Sequence, residues 1–518
     1  MIKEIELTIH PDFLNDYNYQ KFLAAQYLQI NPVEITAVQA IRRSIDARHS
    51  PVFKIKYLVY INEPLKELFH EIIFKPVEDR KKVIIVGCGP AGMFAALKLI
   101  ESGIKPVILE RGKDVRTRRF DLKAIQQDNI VNPDSNYCFG EGGAGTYSDG
   151  KLYTRSLKRG NVNRILNLFV QHGAQNEILI DAHPHIGSNV LPKIVEAIRD
   201  TILSNGGEIY FNSRVTDLII TENKINGVII NEQREIFGDA VILATGHSAR
   251  DIYYLLQNKN IKVEAKPFAM GVRIEHPQQL IDQIQYHSKQ RHSNLPASNY
   301  SLTCQVDDRG IYSFCMCPGG IIIPAATSPG EIVLNGMSIS RRDSKYANSG
   351  LVVTIIEEDW KEYSSHGIFA GLKFQETFER TMFEAAGRTQ KAPAQRLIDF
   401  SNNKISSSLP DASYIPGTIS LPLHELLPKN IALKLQASIK VFEKKMRGFL
   451  TEEAQMLAPE SRTSSPIRIP RDTETLMHPE ISGLFPAGEG AGYAGGIVSA
   501  AIDGERCAEA VQKYLQRV

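Results

Sequence analysis

The sequence predicts an α/β protein with a parallel sheet, an inserted α+β domain and a small α+β module at the N-terminus. An aliphatic run at 83–86 leads through glycines into a helical segment and then into a second apolar run at 106–109, which is the order of a βαβ unit. Short apolar runs separated by turn residues occupy 301–337, a pattern typical of antiparallel strands. Residues 481–516 return to strand, glycine loop and helix, so we expect the α/β part to be discontinuous.

The N-terminal module is predicted over residues 1–76. A strand is expected at IKEIELTI, a helix at NYQKFLAAQYLQ, and two further strands at ITAVQAIRRSID and VFKIKYLVYIN. These segments give the order β-α-β-β. A charged linker that contains proline, FKPVEDRKK, then separates the module from the α/β part.

Composition is that of a soluble globular protein. Of the 518 residues 43% are apolar and 23% are charged, and 60 Lys and Arg oppose 58 Asp and Glu, so no global charge favours nucleic acid or an anionic membrane. No apolar stretch is long enough to span a membrane, and the N-terminus lacks the basic-then-apolar order of a signal peptide. Six scattered cysteines do not suggest a disulfide framework. We therefore expect a cytoplasmic protein without a membrane partner.

A glycine-rich turn, VIIVGCGPAG, follows the first aliphatic run. Gly87, Gly89 and Gly92 have the spacing G-x-G-x-x-G, and Glu110 ends the next apolar run 18 residues after Gly92. Such glycines permit a tight turn, close approach of a pyrophosphate and close packing of helix on strand, and the acid accepts hydrogen bonds from ribose hydroxyls. The sequence therefore predicts a Rossmann-like dinucleotide site that rejects a 2′-phosphate. A plain tight turn in an α/β sheet is the less favoured alternative.

The same glycine spacing occurs twice more, at Gly140, Gly142 and Gly145 and at Gly490, Gly492 and Gly495. Neither copy has a following acid, so neither is predicted to be a second dinucleotide fold. Both suit backbone that wraps a long cofactor. We expect a dinucleotide-binding domain with a β-meander over 80–254 and 471–518, and an inserted antiparallel sheet with helices over 255–470 as a substrate domain.

With LERG, ATG and FPAGE, these segments resemble the glutathione-reductase-type superfamily of FAD flavoproteins. The finer resemblance is to a bacterial family of NAD(FAD)-utilising, FAD-dependent dehydrogenases, and it covers about residues 40–518. The stretches that carry it are FGEGGAGTYSDGKL, SFCMCPGG, LNGMSISRR, ESRTSSPIRIPRD and FPAGEGAGYAGGI. The resemblance implies an extended, non-covalently bound FAD.

The resemblance also implies which positions would hold each part of the cofactor. The pyrophosphate is expected to contact Gly87, Gly89, Pro90, Ala91 and Gly92, and the adenosine half is expected to contact Glu110, Arg111, Val215, Thr245 and Gly246. The residues expected beside the pyrophosphate and isoalloxazine are Gly142, Gly143, Ala144 and Gly145. Those expected at the ribityl chain and the pyrimidine edge of the ring are Gly488, Glu489, Gly496 and Ile497. A helix beginning near Gly496 would favour negative charge on the reduced flavin.

The expected function is an FAD-dependent oxidoreductase that transfers hydride or electrons to or from a small, anionic or unsaturated substrate. NADH or NADPH is a candidate transient reductant, although the sequence contains no second nucleotide fold. A disulfide-reductase mechanism is not favoured, because Cys88 lies inside the glycine loop and Cys138 is isolated. Two alternatives stay open: a flavin-dependent RNA-modifying enzyme that uses basic residues 42–56, which the near-neutral charge disfavours, and a non-catalytic FAD-binding protein.

The candidate catalytic residues each have a structural alternative. Arg341 and Arg462 could hold an anionic substrate or form interdomain ion pairs, and the sequence favours neither alternative over the other. Cys315 and Cys317 are predicted to share one face of a strand, where packing is more common than a redox or metal pair. His185 is either an acid beside the flavin or, as is more common, a loop histidine bonded to backbone. No metal site is predicted.

Overall fold

The computed structural model describes residues 1–67, 69–78, 81–154 and 160–517. The predicted domain start at residue 80 lies outside these ranges. Up to residue 258 the strands and helices are β1 (Ile2–Ile9), α1 (Tyr17–Leu28), β2 (Ile35–Asp46), β3 (Val52–Ile61), β4 (Lys82–Val86), α2 (Pro90–Glu101), β5 (Lys105–Leu109), α3 (Arg118–Gln127), α4 (Val162–Gln171), α5 (Leu191–Ser204), β6 (Glu208–Tyr210), β7 (Val215–Thr221), β8 (Lys224–Ile230), β9 (Arg234–Phe237), β10 (Ala240–Leu243) and α6 (Arg250–Asn258).

The later elements also include both strands and helices, with a 3-10 segment at Glu357–Phe369 before α8. They are β11 (Glu264–Ala265), β12 (Phe268–Pro277), α7 (Gln278–Tyr286), β13 (Thr303–Val306), β14 (Arg309–Cys317), β15 (Ile321–Pro324), β16 (Leu334–Met337), β17 (Tyr346–Ile355), α8 (Ala370–Ala385), β18 (Ala392–Arg396), α9 (Leu397–Ser401), β19 (Thr418–Ser420), α10 (Leu423–Leu426), α11 (Lys429–Lys445), β20 (Gln455–Glu460), β21 (Ile467–Arg468), β22 (Leu484–Pro486) and α12 (Ile497–Leu515).

The first sheet is antiparallel and has the order β1-β3-β2. The element order β-α-β-β is the one expected from the N-terminal sequence. On β3, buried side chains alternate at Phe53, Ile55, Tyr57 and Val59, as expected for a strand with one face on a core. The sheet contacts the rest of the chain through Arg43, whose guanidinium donates a 2.7 Å hydrogen bond to Asp181.

A five-stranded parallel sheet has the order β22-β10-β4-β5-β6. Its central strand β4 is buried on both faces, and this explains the unbroken aliphatic run that precedes the first glycine loop. Helix α2 crosses from β4 to β5, so the predicted βαβ unit is confirmed. Strand β22 comes from the distant C-terminal segment, and β7-β8-β9 form a separate antiparallel meander.

A seven-stranded sheet with the order β13-β14-β17-β12-β20-β18-β19 lies within residues 268–460. Helix α11 packs on it, with Leu435, Ile439 and Phe442 fully buried. The sequence predicts one antiparallel meander over 301–337, and this is wrong in detail. β13 and β14 join the large sheet as a hairpin, whereas β15 and β16 pair only with each other. Turn residues predict where strands end, but they do not say with which sheet a strand pairs.

Across the described ranges, no helix combines the length and the apolar character needed to cross a bilayer.

Candidate functional site

A cavity of about 450 Å³ opens at the carboxyl ends of the parallel strands, between that sheet and the residues of the seven-stranded sheet. We call it the central cavity. It collects loops that are far apart in the sequence, and most of the positions implied by the family resemblance line it. These are Gly87, Gly89, Pro90, Ala91, Glu110, Arg111, Gly143, Ala144, Gly145, Val215, Thr245, Gly246, Gly488, Glu489, Gly496 and Ile497.

Two of the implied positions, Gly92 and Gly142, are not among the lining residues. A Cβ on Gly92 would lie 2.0 Å from the Gly87 carbonyl oxygen, so this glycine allows α2 to pack on its own loop. A Cβ on Gly142 would lie 2.0 Å from Thr146 Oγ1. Both glycines therefore shape the loops rather than face the cavity.

The first glycine loop and the second meet across the cavity wall. Gly87 has a φ of +104°, and a Cβ there would lie 2.5 Å from the Ala244 carbonyl oxygen, so only glycine fits. By contrast, a Cβ on Gly89 would meet nothing nearer than Gly143 Cα at 3.9 Å. Gly89 and Gly143 therefore form an open backbone cradle between the two loops.

Two helices begin at this cradle without a side-chain cap. Gly89 is the N-cap residue of α2 and Gly496 that of α12, and neither position makes a side-chain capping bond. The first N–H groups of a helix have no partner within it, and its N-terminus carries partial positive charge. Two such ends at one cavity make it suited to an anionic group such as a pyrophosphate.

Glu110 is buried at the end of β5 and ties three loop segments together. Its carboxylate accepts hydrogen bonds from the backbone N–H groups of Cys88 at 2.8 Å and of Gly112 and Gly140 at 2.9 Å each. A carboxylate accepts about four hydrogen bonds. The sequence predicts that Glu110 binds two ribose hydroxyls, but the three backbone contacts leave it about one free acceptor position. These contacts hold the loops around the cavity together.

Arg111 is fixed at one end of the cavity by two carboxylates and an aromatic ring. Its guanidinium lies 2.8 Å from Asp134 and 3.0 Å from Asp251, and its central carbon lies 4.2 Å from the centroid of the Phe139 ring. The side chain is thereby held as a planar cation with little freedom to move.

Glu489 and His247 form a contact on the opposite rim. His247 Nδ1 lies 3.3 Å from Glu489 Oε2, and the Gly496 N–H donates to Glu489 Oε1. Burial opposes ionisation of Glu489, but the His247 contact and the Gly496 hydrogen bond outweigh it, so the pKa of Glu489 lies below its usual range. An ionised carboxylate therefore accepts a hydrogen bond from the N-cap residue of α12.

Arg462 reaches the cavity, but its guanidinium is fully engaged elsewhere. Its N–H groups donate to Glu379 at 3.0 Å, Glu331 at 2.7 Å and Thr327 at 2.6 Å, with a longer bond to Ser248 at 3.3 Å. Two carboxylates thus neutralise it before any substrate arrives. The contacts favour the ion-pair alternative for Arg462 over a role in binding an anion.

Arg341 and His185 are not among the residues that line the central cavity. The Arg341 side chain is 79% exposed and pairs with Asp343 at 3.0 Å, so the two arginines do not converge on one anion site. His185 Nε2 lies 3.0 Å from the Ser340 carbonyl oxygen. The pKa of His185 lies below its usual range, mainly because the side chain is buried. These contacts match the alternative of a loop histidine bonded to backbone.

Cys315 lines the central cavity, whereas Cys317 is completely buried. The sequence predicts a regular strand with both cysteines on one face, and this is wrong in detail. Cys315 has a φ of +44°, and the pairing of β14 with β17 shifts register between Phe314 and Cys317. A β-bulge of this kind inserts an extra residue and re-aims a side chain, which the alternation of residue types does not reveal.

Sequence reasoning missed several cavity residues that carry charge. Asp149, Lys151, Arg214 and Glu460 all line it. Asp149 and Lys151 stand inside the stretch FGEGGAGTYSDGKL, so that motif held the signal, but no spacing rule assigns a role to its last residues. Among the residues that the model describes, no group of three or more His, Cys, Asp and Glu side chains could hold a metal ion.

Three family models match this chain. One described as "FAD-dependent protein, C-terminal domain-like" matches residues 267–463. An FAD binding domain matches residues 80–122, which contain the first glycine loop and Glu110. A domain of unknown function matches residues 1–60.

A protein of Clostridium beijerinckii, described as uncharacterised, is 39% identical to this chain over an alignment of 516 positions that covers 96% of each chain. Similar solved structures include CtdE in complex with FAD, at 13% identity, with 85% of this chain and 88% of that one covered and a TM-score of 0.30. A glycerol-3-phosphate dehydrogenase of Bacillus halodurans complexed with FAD has 11% identity, coverages of 85% and 66%, and a TM-score of 0.35. Scores this low do not establish a shared arrangement.

Proposed function

Since this chain belongs to the FAD-dependent protein family, with a full-length relative at 39% identity, we propose that it is an FAD-dependent oxidoreductase whose cofactor lies in the central cavity. The observation that carries the proposal is the convergence of three glycine loops and two uncapped helix N-termini on one cavity of about 450 Å³. Cavities of about 300–1,000 Å³ are typical of cofactor and ligand sites.

The residues present fit the chemistry of FAD. The open cradle between Gly89 and Gly143 has room for a pyrophosphate, since nothing but backbone lies within 4 Å of a Cβ placed on Gly89. Glu110 retains an acceptor position for a ribose hydroxyl, and its negative charge disfavours a 2′-phosphate. Ile497 and Val215 contribute apolar side chains to the cavity wall. Apolar contacts of this kind suit the flat aromatic rings at the two ends of FAD.

When bound, FAD supplies hydride and single-electron chemistry, and the chain supplies position and charge. The start of α12 directs its partial positive charge into the cavity and thereby stabilises negative charge there. Lys151, which pairs with Asp149 at 3.5 Å, adds a cation to the cavity lining. Phe314, Val333 and Leu334 cover the same wall with apolar side chains, and this limits the access of water to the reacting groups.

The finer parts of the proposal concern the reaction partners. The substrate is a small molecule that enters from the side of the seven-stranded sheet, and NADH or NADPH is the transient reductant. An RNA substrate is not favoured, because Arg43 in the basic N-terminal run already pairs with Asp181 of the same chain. The reaction is a dehydrogenation or its reverse, and its location in the cell is the cytoplasm.

A spectroscopic experiment tests the proposal. Purified protein is examined from 300 to 600 nm and then mixed anaerobically with NADH, NADPH or dithionite. We expect flavin absorption bands that bleach with dithionite and with one of the two nicotinamides. Flavin bands that only dithionite bleaches would remove the nicotinamide from the proposal, and a chain without flavin bands, before and after addition of FAD, would overturn the proposal itself.

A further inference from the structure

Two cysteines on β14 meet Lys151 at the wall of the central cavity. Lys151 Nζ lies 3.8 Å from Cys315 Sγ and 3.6 Å from Cys317 Sγ, and the Cys317 thiol donates a 3.3 Å hydrogen bond to the Cys315 carbonyl oxygen. Both cysteines are free thiols. Cys315 lines the cavity and Cys317 is buried behind it, so one sulfur is accessible from the cavity and the second is within reach of the first.

The backbone at Cys315 is unusual for a residue with a side chain. Its φ of +44° lies in the left-handed region, which non-glycine residues rarely adopt and which is concentrated at functional sites. The same residue sits at the bulge where β14 loses its regular pairing with β17. The strand is therefore distorted at the position where a thiol reaches the cavity.

The local charges favour a thiolate on Cys315. The neighbouring Cys317 thiol and the nearby Lys151 and Arg273 cations hold the pKa of Cys315 well below its usual range, although burial opposes ionisation. The interaction with Cys315, together with burial, raises the pKa of Cys317. The pair thus resembles an attacking thiolate with a second, neutral thiol beside it.

Other ionisable groups surround the two sulfurs and act in both directions. They are Lys151, Arg273, Asp149, Glu460 and Tyr300. The carboxylates are held by cations, since Asp149 lies 2.6 Å from Arg342 and 3.5 Å from Lys151, and Glu460 pairs with Arg273. Lys151 is therefore the cation nearest the thiols that also lines the cavity.

We propose that Cys315 and Cys317 form a redox-active dithiol that reduces a disulfide substrate reaching the central cavity. The Cys315 thiolate attacks one sulfur of the substrate, the substrate S–S bond breaks, and the first half leaves as a thiol after taking up a proton. Cys317 gives up its proton and attacks Cys315 in the mixed disulfide, which releases the second half. The two cysteines lose two electrons and the single proton of Cys317, and the substrate gains those electrons together with that proton and a second proton from solvent.

Lys151 is a positioning residue in this step, because it stabilises the Cys315 thiolate without touching the substrate sulfur. The inference goes beyond the proposed function, since the exchange uses only thiols of this chain and a disulfide. It can therefore succeed or fail independently of FAD binding.

The test uses the full chain as purified, with FAD retained, reduced with dithiothreitol and desalted. Glutathione disulfide at pH 7 is the probe, and mass spectrometry of the tryptic peptide 310–341 is the readout, since this peptide contains both Cys315 and Cys317 and no other cysteine. We expect the peptide to lose two hydrogen atoms and to resist iodoacetamide. Cys304, a half-buried thiol whose pKa is raised by burial, serves as an internal control and stays reduced longer.

Variants separate the two sulfurs and the role of Lys151. In C317S the reaction should stop at a stable mixed disulfide on Cys315, whereas C315S should form none. In K151M the iodoacetamide reaction of Cys315 at pH 7 should slow about tenfold and become steeply dependent on pH, and K151R should restore the wild-type pH profile. A merely structural role for Lys151 would leave that profile unchanged.

Two results would overturn the inference. One is a wild-type peptide 310–341 that keeps both thiols while Cys304 reacts with glutathione disulfide. The other is an alkylation profile of Cys315 that follows an ordinary free thiol in both the wild type and K151M. A chain that binds no FAD but still forms the Cys315–Cys317 disulfide would contradict the proposed function alone.

Discussion

A Cβ atom on Gly504 of α12 would lie 2.0 Å from the Ala91 carbonyl oxygen in the first turn of α2. The first turn of α2 therefore touches α12 through backbone about two turns after the start of α12. Because the contact leaves no space for a side chain, the close approach of the two helices at this point requires glycine.

The variant G504A is expected to be less stable than the wild type and to bind FAD more weakly. Forcing a methyl group into a packed contact costs about 1–3 kcal/mol, which exceeds the gain of up to about 1 kcal/mol from replacing glycine within a helix. Thermal unfolding and FAD titration measure the two effects. G310A is the matched control, since a Cβ at this position would meet only Thr354 Oγ1 at 3.4 Å. Equal melting temperatures and equal FAD affinities of G504A and G310A would refute the importance of the contact between Gly504 and Ala91.

The variant G89V is expected to lose FAD without losing its fold. A side chain at Gly89 meets open space next to Gly143, and its φ of −80° suits any residue, so the protein itself tolerates the change. The added methyl groups occupy the cradle that we assign to the pyrophosphate. The ratio of absorbance at 450 nm to that at 280 nm should fall, while the circular dichroism and the melting temperature measured without FAD should stay close to wild type. Retention of full flavin content would show that the pyrophosphate lies elsewhere.

The variant E489A should weaken FAD binding about tenfold, whereas E489Q should weaken it less. Glu489 accepts a hydrogen bond from the Gly496 N–H at the start of α12 and lies 3.3 Å from His247. Alanine removes the acceptor, so the first turn of α12 loses its anchor, and a tenfold change corresponds to about 1.4 kcal/mol. Glutamine keeps an acceptor oxygen. Quenching of FAD fluorescence gives both dissociation constants, and identical values for the two variants would contradict the role of the hydrogen bond.

The buried ion pairs of Glu379 should make the stability depend on pH. Burial opposes its ionisation, but Arg250 and Arg462 outweigh this and lower the pKa of Glu379 to about 2, from an ordinary value of 4.5. Because the folded-state pKa is the lower one, this contribution is complete above pH 4.5 and is lost as the pH falls toward 2. It amounts to on the order of 3 kcal/mol.

The matched measurement is urea unfolding of wild type, E379Q and the control E376Q at pH 7, 4 and 3. E379Q should be much less stable than wild type at pH 7, since it leaves two buried arginines with one carboxylate fewer. The gap should narrow as the pH falls. E376Q, whose carboxylate pairs only with Lys373 at 3.1 Å among the contacts described, should follow the wild type; a gap that stays constant with pH would contradict the role assigned to Glu379.

The glycine loops could be located from the sequence because their chemistry is local. A tight turn such as that at Gly87 requires a positive φ, and the spacing from Gly87 to Gly92 records it directly. The position of Glu110 was also predictable, but its three backbone partners were not. Those partners come from loops that the fold brings together, and no spacing along the chain encodes them.

The side chains around the cavity were harder to predict for the same reason. Arg462 is neutralised by Glu331 and Glu379, which lie 131 and 83 positions away. The bulge that re-aims Cys315 depends on how β14 pairs with β17, and Lys151 approaches the thiols from a loop more than 160 positions earlier. Residue types marked these positions as polar, but only the three-dimensional contacts distinguish an ion pair from a binding site.

Titration of FAD into the cofactor-free chain, followed by visible absorption and fluorescence, shows whether the central cavity binds the cofactor. We expect saturable binding of one FAD per chain in the wild type, with a shifted and resolved flavin spectrum, and a large loss of that binding in G89V. A spectrum that stays equal to that of free FAD at all concentrations, or equal binding by the wild type and G89V, would contradict it.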